Sequence, residues 1–370
     1  FKQKTAYEIP KRDWSSDVCS SDLADHDPAH PADAGGALKT GLTTPRPHPA
    51  AAGDRSLLPL ETQTYESRAA TTTQDVARLA PIASPDTASM VADADPDLDE
   101  DVARWQSPKL LGPRLTLLGP VSARTLGDAR KVAHRRPFYV ELMAYLVLHP
   151  DGATADEVAD AFGIQPERAR KDLGIVRGWL GCDTRTGKLH LPNARQTHES
   201  GVKGRYVMTG VETDLDLFRR LRTRGQSRGA AGIEDLRTAL TLVTGEPFSD
   251  LRPIGWTWLL EGERIDHIMS CAIVDTAHIV TTHALGIGDL ELARFAAETS
   301  YDAAPYDETS RLDLVAVEKA CGRDDVADTL LVDGVFNRSD DDLGPIELPR
   351  RTVDVLARHG RNDPGPSTDL

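Results

Sequence analysis

Up to about residue 110 the apolar residues follow no period; beyond it they fall into a succession of regular patterns. Arg114–Val121 is a short apolar run broken by Gly119 and Pro120, which predicts a strand. After Pro137, the residues Phe138, Leu142, Tyr145, Leu146 and Leu148 recur at helical spacing until His149 and Pro150 end the element. Thr154 followed by Glu157 has the form of a capping box. It opens a short second helix with Val158, Ala159 and Phe162 inward and Gly163 as its stop. Gln165-Pro166 opens a third helix, with Pro at its first position. At about 100° per residue, Ala169, Leu173, Val176 and Leu180 share one narrow arc of it and must face the other two helices. Lys188–Leu191 and Arg205–Met208 then read as two short strands around the polar loop Pro192–Gly204, a hairpin directly after the third helix.

From Asp214 the pattern is helical throughout. Leu215, Leu217, Phe218 and Leu221 form one amphipathic element, and Leu236, Ala239, Leu240 and Val243 another, ended by Thr244–Phe248. Trp256, Trp258, Leu259 and Leu260 are expected to begin one long helix running through Ile265, Ile268, Met269, Ala272, Ile273 and Ala277. Two apart on a helix, Trp256 and Trp258 diverge by about 200° and cannot face one core. One is expected to anchor the Thr244–Phe248 turn, the other to lie against the first three helices or an exposed groove. The stripe continued by Ile265 and Ala272 assigns Trp258 to the interior and Trp256 to protein contact. Gly288–Ala296 and Pro305–Glu308 have the form of one tetratricopeptide unit, whose small Ala positions allow close helix contact. A further helical pair follows around Leu312–Ala320 and Val326–Val335, and such pairs stack into a curved array whose concave face holds a partner.

The N-terminal third differs in composition. Residues 24–111 are rich in Ala, Pro, Asp, Thr and Ser and are expected to be a disordered linker, including the acidic run Asp93–Asp101. His26, His30 and His48 sit in that polar stretch without a scaffold that would make them metal ligands. Residues 1–23 resemble the conceptual translation of a sequencing-library adapter and are expected to be foreign to the protein, so that upstream sequence is missing. Residues 341–370 read as a C-terminal tail. Cys182, Cys271 and Cys321 are widely spaced and form no CxxC pair, which suggests reduced thiols in a cytoplasmic setting. No uninterrupted apolar run of 18 residues occurs, so no membrane contact is expected in this fragment.

Charge singles out one part of the chain. The whole carries −15, yet residues 114–210 hold 15 Lys/Arg against 10 Asp/Glu. A net-basic module with a helix-turn-helix pattern is the electrostatic footprint of a nucleic-acid reader. The outward face of the third helix presents Glu167, Arg170, Lys171, Gly174, Arg177 and Gly178, with Arg168 beside them. The candidate DNA-binding residues are therefore Arg168, Arg170, Lys171 and Arg177, with Lys203 and Arg205 at the base of the hairpin contacting phosphate. Gly174 and Gly178 permit close approach by a phosphate backbone or equally by another helix. No Asn or Gln on that face is placed to read adenine, and the bland alternative is a solvated or protein-contacting face. His190 and His198 read as surface histidines.

The residues Tyr139–Pro150, Val176–Gly181, Asp214 with Phe218, and Thr244-Gly245-Glu246-Pro247-Phe248 together resemble the bacterial transcriptional activator domain family, over roughly 112–340. The resemblance implies a mainly α chain. A winged helix-turn-helix (α+β) at 112–211 would precede an all-α tetratricopeptide-like helical domain at 212–340. It implies DNA-binding transcription regulation, with double-stranded DNA, RNA polymerase or another protein, and a second copy of the chain as partners. A second reading makes this pair the C-terminal, protein-interaction end of a truncated membrane- or peptidoglycan-associated (LysM-type) protein without sequence-specific DNA binding. No Walker-type loop, HExxH or GxSxG motif occurs, so neither an enzyme nor a cofactor is expected. His267, Cys271, Asp275 and His278 follow one another along a single helix, which alone cannot surround a tetrahedral ion, so no metal is expected.

Overall fold

In a computed structural model, residues 83–194, 204–262 and 264–331 are described. The expected adapter segment, most of the linker, the hairpin tip and the C-terminal tail lie outside them. The described chain is mainly helical with one small sheet. Its elements begin earlier than the sequence pattern suggests, with α1 (Pro85–Ala94) and α2 (Leu98–Gln106). There follow β1 (Arg114–Thr116), β2 (Ser122–Arg124), α3 (Arg136–Val147), α4 (Ala155–Phe162), α5 (Pro166–Leu180) and β3 (Glu212–Thr213). The remainder is α6 (Asp214–Arg228), α7 (Ile233–Leu240), α8 (Thr257–Glu261), α9 (Ile265–Ile287), α10 (Leu290–Ala303), α11 (Glu308–Ala320) and α12 (Asp324–Leu331).

The expectation of linker up to residue 111 is corrected by α1 and α2. Ser84 caps α1 by accepting from the Thr87 N–H at 3.1 Å, and Leu98 of α2 is fully buried. The acidic run is no solvated tether. Asp95 and Asp101 each lie 2.7 Å from the Arg220 guanidinium of α6, and Asp99 lies 2.7 Å from Arg224. These carboxylates drive the Arg220 guanidinium far above its ordinary value. Arg114 closes the other end by donating to the Arg104, Trp105 and Ser107 carbonyls at the C-terminus of α2, where a cation is favoured.

The sheet has the order β2-β1-β3, with β1–β2 antiparallel and β1–β3 parallel. Leu115 stands opposite Ala123 on one side and Thr213 on the other. A parallel partner so far along the chain ties the start of the helical half to the first strand. The junction is reinforced by Asp214 at the first position of α6. Its buried carboxylate accepts from the N–H groups of Leu117 (2.8 Å), Leu118 (3.1 Å) and Leu215 (2.8 Å). Burial pushes this carboxyl up to about 7, against the opposing pull of those N–H groups. The Thr244–Phe248 turn docks on the same loop, with N–H groups of Thr244 and Phe248 donating to the Leu118 and Leu117 carbonyls at 2.7 and 2.8 Å. At Gly119 (φ 152°) an added Cβ would stand 2.1 Å from the Thr244 hydroxyl, so a side chain there would force Thr244 to move.

Helix α3 is buried from Phe138 to Leu146, and α4 carries the capping box, with Thr154 and Glu157 bonded reciprocally at 2.7 and 3.1 Å. Helices α6 and α7 pack together. Further on, α9 packs on α10, α10 on α11, and α11 on both α12 and α9. Ala284, Ala293, Ala296 and Ala297 are fully buried at these crossings. One continuous apolar core runs from Leu98 through Leu146, Leu180 and Phe218 to Ala303, so both halves share it. By length and a mean hydropathy of 1.3, α9 is long and apolar enough to cross a membrane, although no unbroken apolar run marks it; 61% of that window is buried inside the protein. The expected continuous helix from Trp256 is instead two helices, α8 and α9, separated by a break around Gly262.

Candidate nucleic-acid interface

Helix α5 buries the expected stripe completely: Ala169, Leu173, Val176 and Leu180 show no exposed surface. Glu167, Arg168, Arg170, Lys171, Gly174 and Gly178 are exposed on the other side. An added Cβ at Gly174 or Gly178 would meet nothing within 4 Å, so the helix surface is open at these two positions, while the Gly127–Asp128 loop caps the Gly178 and Trp179 carbonyls. Lys171 has no ion-pair partner among the described residues. Arg170 sits loosely between Glu167 (3.5 Å) and Asp156 (3.8 Å), both exposed. Such solvated pairs add little and rearrange readily.

Arg168 is set differently. Its Nε lies 2.9 Å from Asp172, a carboxylate with no exposed surface on the next turn of α5. The Tyr139 hydroxyl of α3 donates to the other carboxylate oxygen at 2.9 Å, and Arg135 approaches at 3.7 Å. Asp172 raises the Arg168 guanidinium further, while burial and the same carboxylate push the Tyr139 phenol up. Asp172 thus fixes Arg168 from beneath. It lies on the buried face, where helical geometry alone argues for an apolar residue; its spacing of four from Arg168 was the available signal.

Two of the expected DNA-contact residues, Arg177 and Arg205, are tied into the fold by their own hydrogen bonds. The Arg177 guanidinium donates to the Leu191 carbonyl at 2.7 Å and the Pro192 carbonyl at 3.3 Å, and lies over the Tyr206 ring. Arg205 donates to the Gly152 carbonyl at 2.8 Å and pairs with Glu157 at 3.0 Å. Both bind the segment after α5 back onto α4 and α5 instead of facing outward. Lys203 and His198 lie outside the described residues. His190 is not a surface residue: it is 4% exposed, with Nδ1 2.9 Å from the Thr209 carbonyl.

The expected hairpin strands are reduced to single bridges. Leu189 pairs with Cys182, and Tyr206 with Ala153. The two arms still meet through Thr209 N–H to the His190 carbonyl at 2.8 Å. Between Thr154, Asp156, Arg170, Asn193 and Tyr206 lies an open cleft of about 500 Å³.

The tryptophan assignment is reversed. Trp256 is 2% exposed, precedes α8 in a left-handed conformation and stands 6.1 Å edge-on to Phe248. It is therefore no protein-contact residue. Trp258 is the half-buried one, packed 5.2 Å from Tyr145 of α3. The reversal follows from the helix starting only at Thr257, which removes the 100° step assumed between the rings. Along α9, Asp275 pairs with Arg222 at 3.5 Å and His278 with Asp313 at 2.7 Å, while Cys271 Sγ lies 3.9 Å from His267 Nε2. Among the described residues no cluster able to hold a metal ion is found. No protein-family model matches the chain, and no curated protein matches it by sequence.

Proposed function

We propose that the chain is a DNA-binding transcriptional regulator. In this reading β1 to Val211 is a winged helix-turn-helix with α5 as its major-groove helix, and α6–α12 form a tetratricopeptide-like domain for dimerisation or polymerase contact. The observation that carries it is the uncovered cationic face of α5. Arg168, Arg170 and Lys171 project beside Gly174 and Gly178, whose surroundings are open. Two bare glycines on an exposed helix each sacrifice about 1 kcal/mol of helix propensity. That sacrifice is useful where a polymer backbone must approach closely. Arg177 and Arg205 support the reading indirectly by fixing the wing against the helix.

The reading narrows the DNA-contact set. Lys171→Ala and Arg170→Ala are expected to weaken binding of the whole chain to duplex DNA, each lowering the salt dependence by about one phosphate. Arg177→Ala and Arg205→Ala are expected to lower the melting temperature first. Fluorescence anisotropy with a labelled duplex, run beside thermal melts, checks both. Equal losses of affinity for all four variants at unchanged stability would overturn the division.

A second reading, a protein-interaction module, also has a specific observation behind it. The corner between α10 and α11 exposes Tyr306 (83%) and Tyr301 (37%), and aromatic residues left in solvent commonly anchor interfaces. It predicts that duplex DNA is ignored even at low salt.

A further inference from the structure

The polypeptide between the Thr244–Phe248 turn and α8 is held in an improbable conformation. Phe248, Asp250, Ile254 and Trp256 all have positive φ, at 56°, 58°, 57° and 63°. For residues with a Cβ, and above all for β-branched Ile254, the left-handed region is unfavourable. Ile254 is 99% exposed, so packing of its own side chain does not compensate. Something else must over-determine the segment. Its Phe248–Ser249 end is pinned by backbone bonds to Leu117, Gly119 and Val121. From Asp250 on, the chain closes on Glu141 of α3, 1% exposed in the middle of an apolar helix. One carboxylate oxygen accepts from the Arg252 Nε at 2.7 Å. The other accepts from the Trp256 backbone N–H at 2.6 Å and from the Trp258 indole N–H at 3.3 Å. All three donors come from the strained segment, and Trp258 then stacks edge-on against Tyr145, one helical turn beyond Glu141.

We propose that Asp250–Leu260 is a strained latch between the two halves of the molecule, hinged on the pinned Phe248–Ser249 end and closed by the buried carboxylate of Glu141. A buried anion with three donors from one segment engages or releases that segment as a unit, because a partly satisfied buried charge is unfavourable. Backbone strain pulls toward release and the carboxylate toward closure, so the latch has two states. Its open state frees Trp258 from α3 and lets α3–α5 shift against the helical array. The inference stands whether or not α5 binds DNA.

Amide hydrogen exchange on the full chain tests it. Glu141→Gln is expected to raise exchange at Gly255–Leu260 by roughly a hundredfold, the scale of a broken buried ion pair. Exchange in Leu173–Leu180 should stay unchanged. Arg252→Ala, which removes one donor from a partly exposed position, is expected to give the same local pattern more weakly, and it serves where Glu141→Gln does not fold. Ile254→Gly relieves strain and is expected to slow exchange in the same segment by roughly threefold. The latch is overturned by any of three results: unchanged exchange in both carboxylate-side variants, a uniform rise over the whole chain in Arg252→Ala, or faster exchange in Ile254→Gly.

Discussion

At the scale of single residues, buried acids decide more than exposed bases. Asp172, Glu141 and Asp214 are each almost wholly buried, and each accepts from donors on two different elements or from a strained loop. Replacing Asp214 by Asn would set an amide NH₂ against backbone N–H groups, and such an unpaired buried polar group destabilises by about 1–3 kcal/mol; urea denaturation checks this. The Asp214 carboxyl also carries a pH signature. Its folded value of about 7 lies above the ordinary 3.8, so the native state holds the extra proton between them. This group's contribution to stability is therefore full below about pH 4 and falls as pH rises toward 7, and Asp214→Asn should flatten that slope. Trp256→Ala is expected to lower stability by about 3–5 kcal/mol, and Trp258→Ala, with its half-buried ring, by about 1–2 kcal/mol. Equal losses in thermal melts would contradict the reversed assignment.

At the scale of elements, local chemistry was readable and long-range chemistry was not. The capping box at Thr154 and Glu157, Pro166 at the start of α5 and the stripe Ala169–Leu180 are contained in short windows, and the structure has them as read. The helix α1 was missed because it buries no residue to mark an apolar face, and α2 because its short stripe Leu98, Val102 and Trp105 is interleaved with acids in a Pro- and Asp-rich stretch that reads as linker. Their partners, Arg220 and Arg224, lie on α6; Asp95 and Arg220 are separated by 125 positions. The break before α9 was missed because the apolar residues Trp258–Leu260 lead on to Ile265 at helical spacing, whereas the backbone leaves the helix at Gly262 and is left-handed at Arg264. Within the candidate interface, the outward arc of α5 was legible, whereas the inward turn of Arg177 depends on where the segment after α5 runs. The two N-terminal helices also predict a graded release. α1 buries no residue completely and its C-terminal Asp95 pairs with Arg220, whereas α2 inserts Leu98. At about 1 M salt, where screening acts within ~3 Å, proteolytic cleavage in α1 should accelerate while α2 stays protected. Unchanged cleavage in α1 at high salt would show that apolar contacts, not carboxylates, hold it.

At the scale of the whole molecule, charge is partitioned. The chain carries −15, but the acidic α1–α2 segment directs carboxylates to the arginines of α6, and α5 presents Arg168, Arg170 and Lys171 on an exposed face. The two halves share one core and one sheet, so α5 is presented by a connected body and not by an independent bead. If this face binds nucleic acid, the salt dependence of duplex DNA binding by the full chain shows it most directly, for the natural sequence and for Arg170→Ala and Lys171→Ala combined; Arg168 is left in place because it pairs with the buried Asp172. The expected log–log slope corresponds to roughly two to five neutralised phosphates, reduced by up to about two in the double variant with its melting temperature retained. No binding at low salt, or a slope indifferent to the two substitutions, would contradict it.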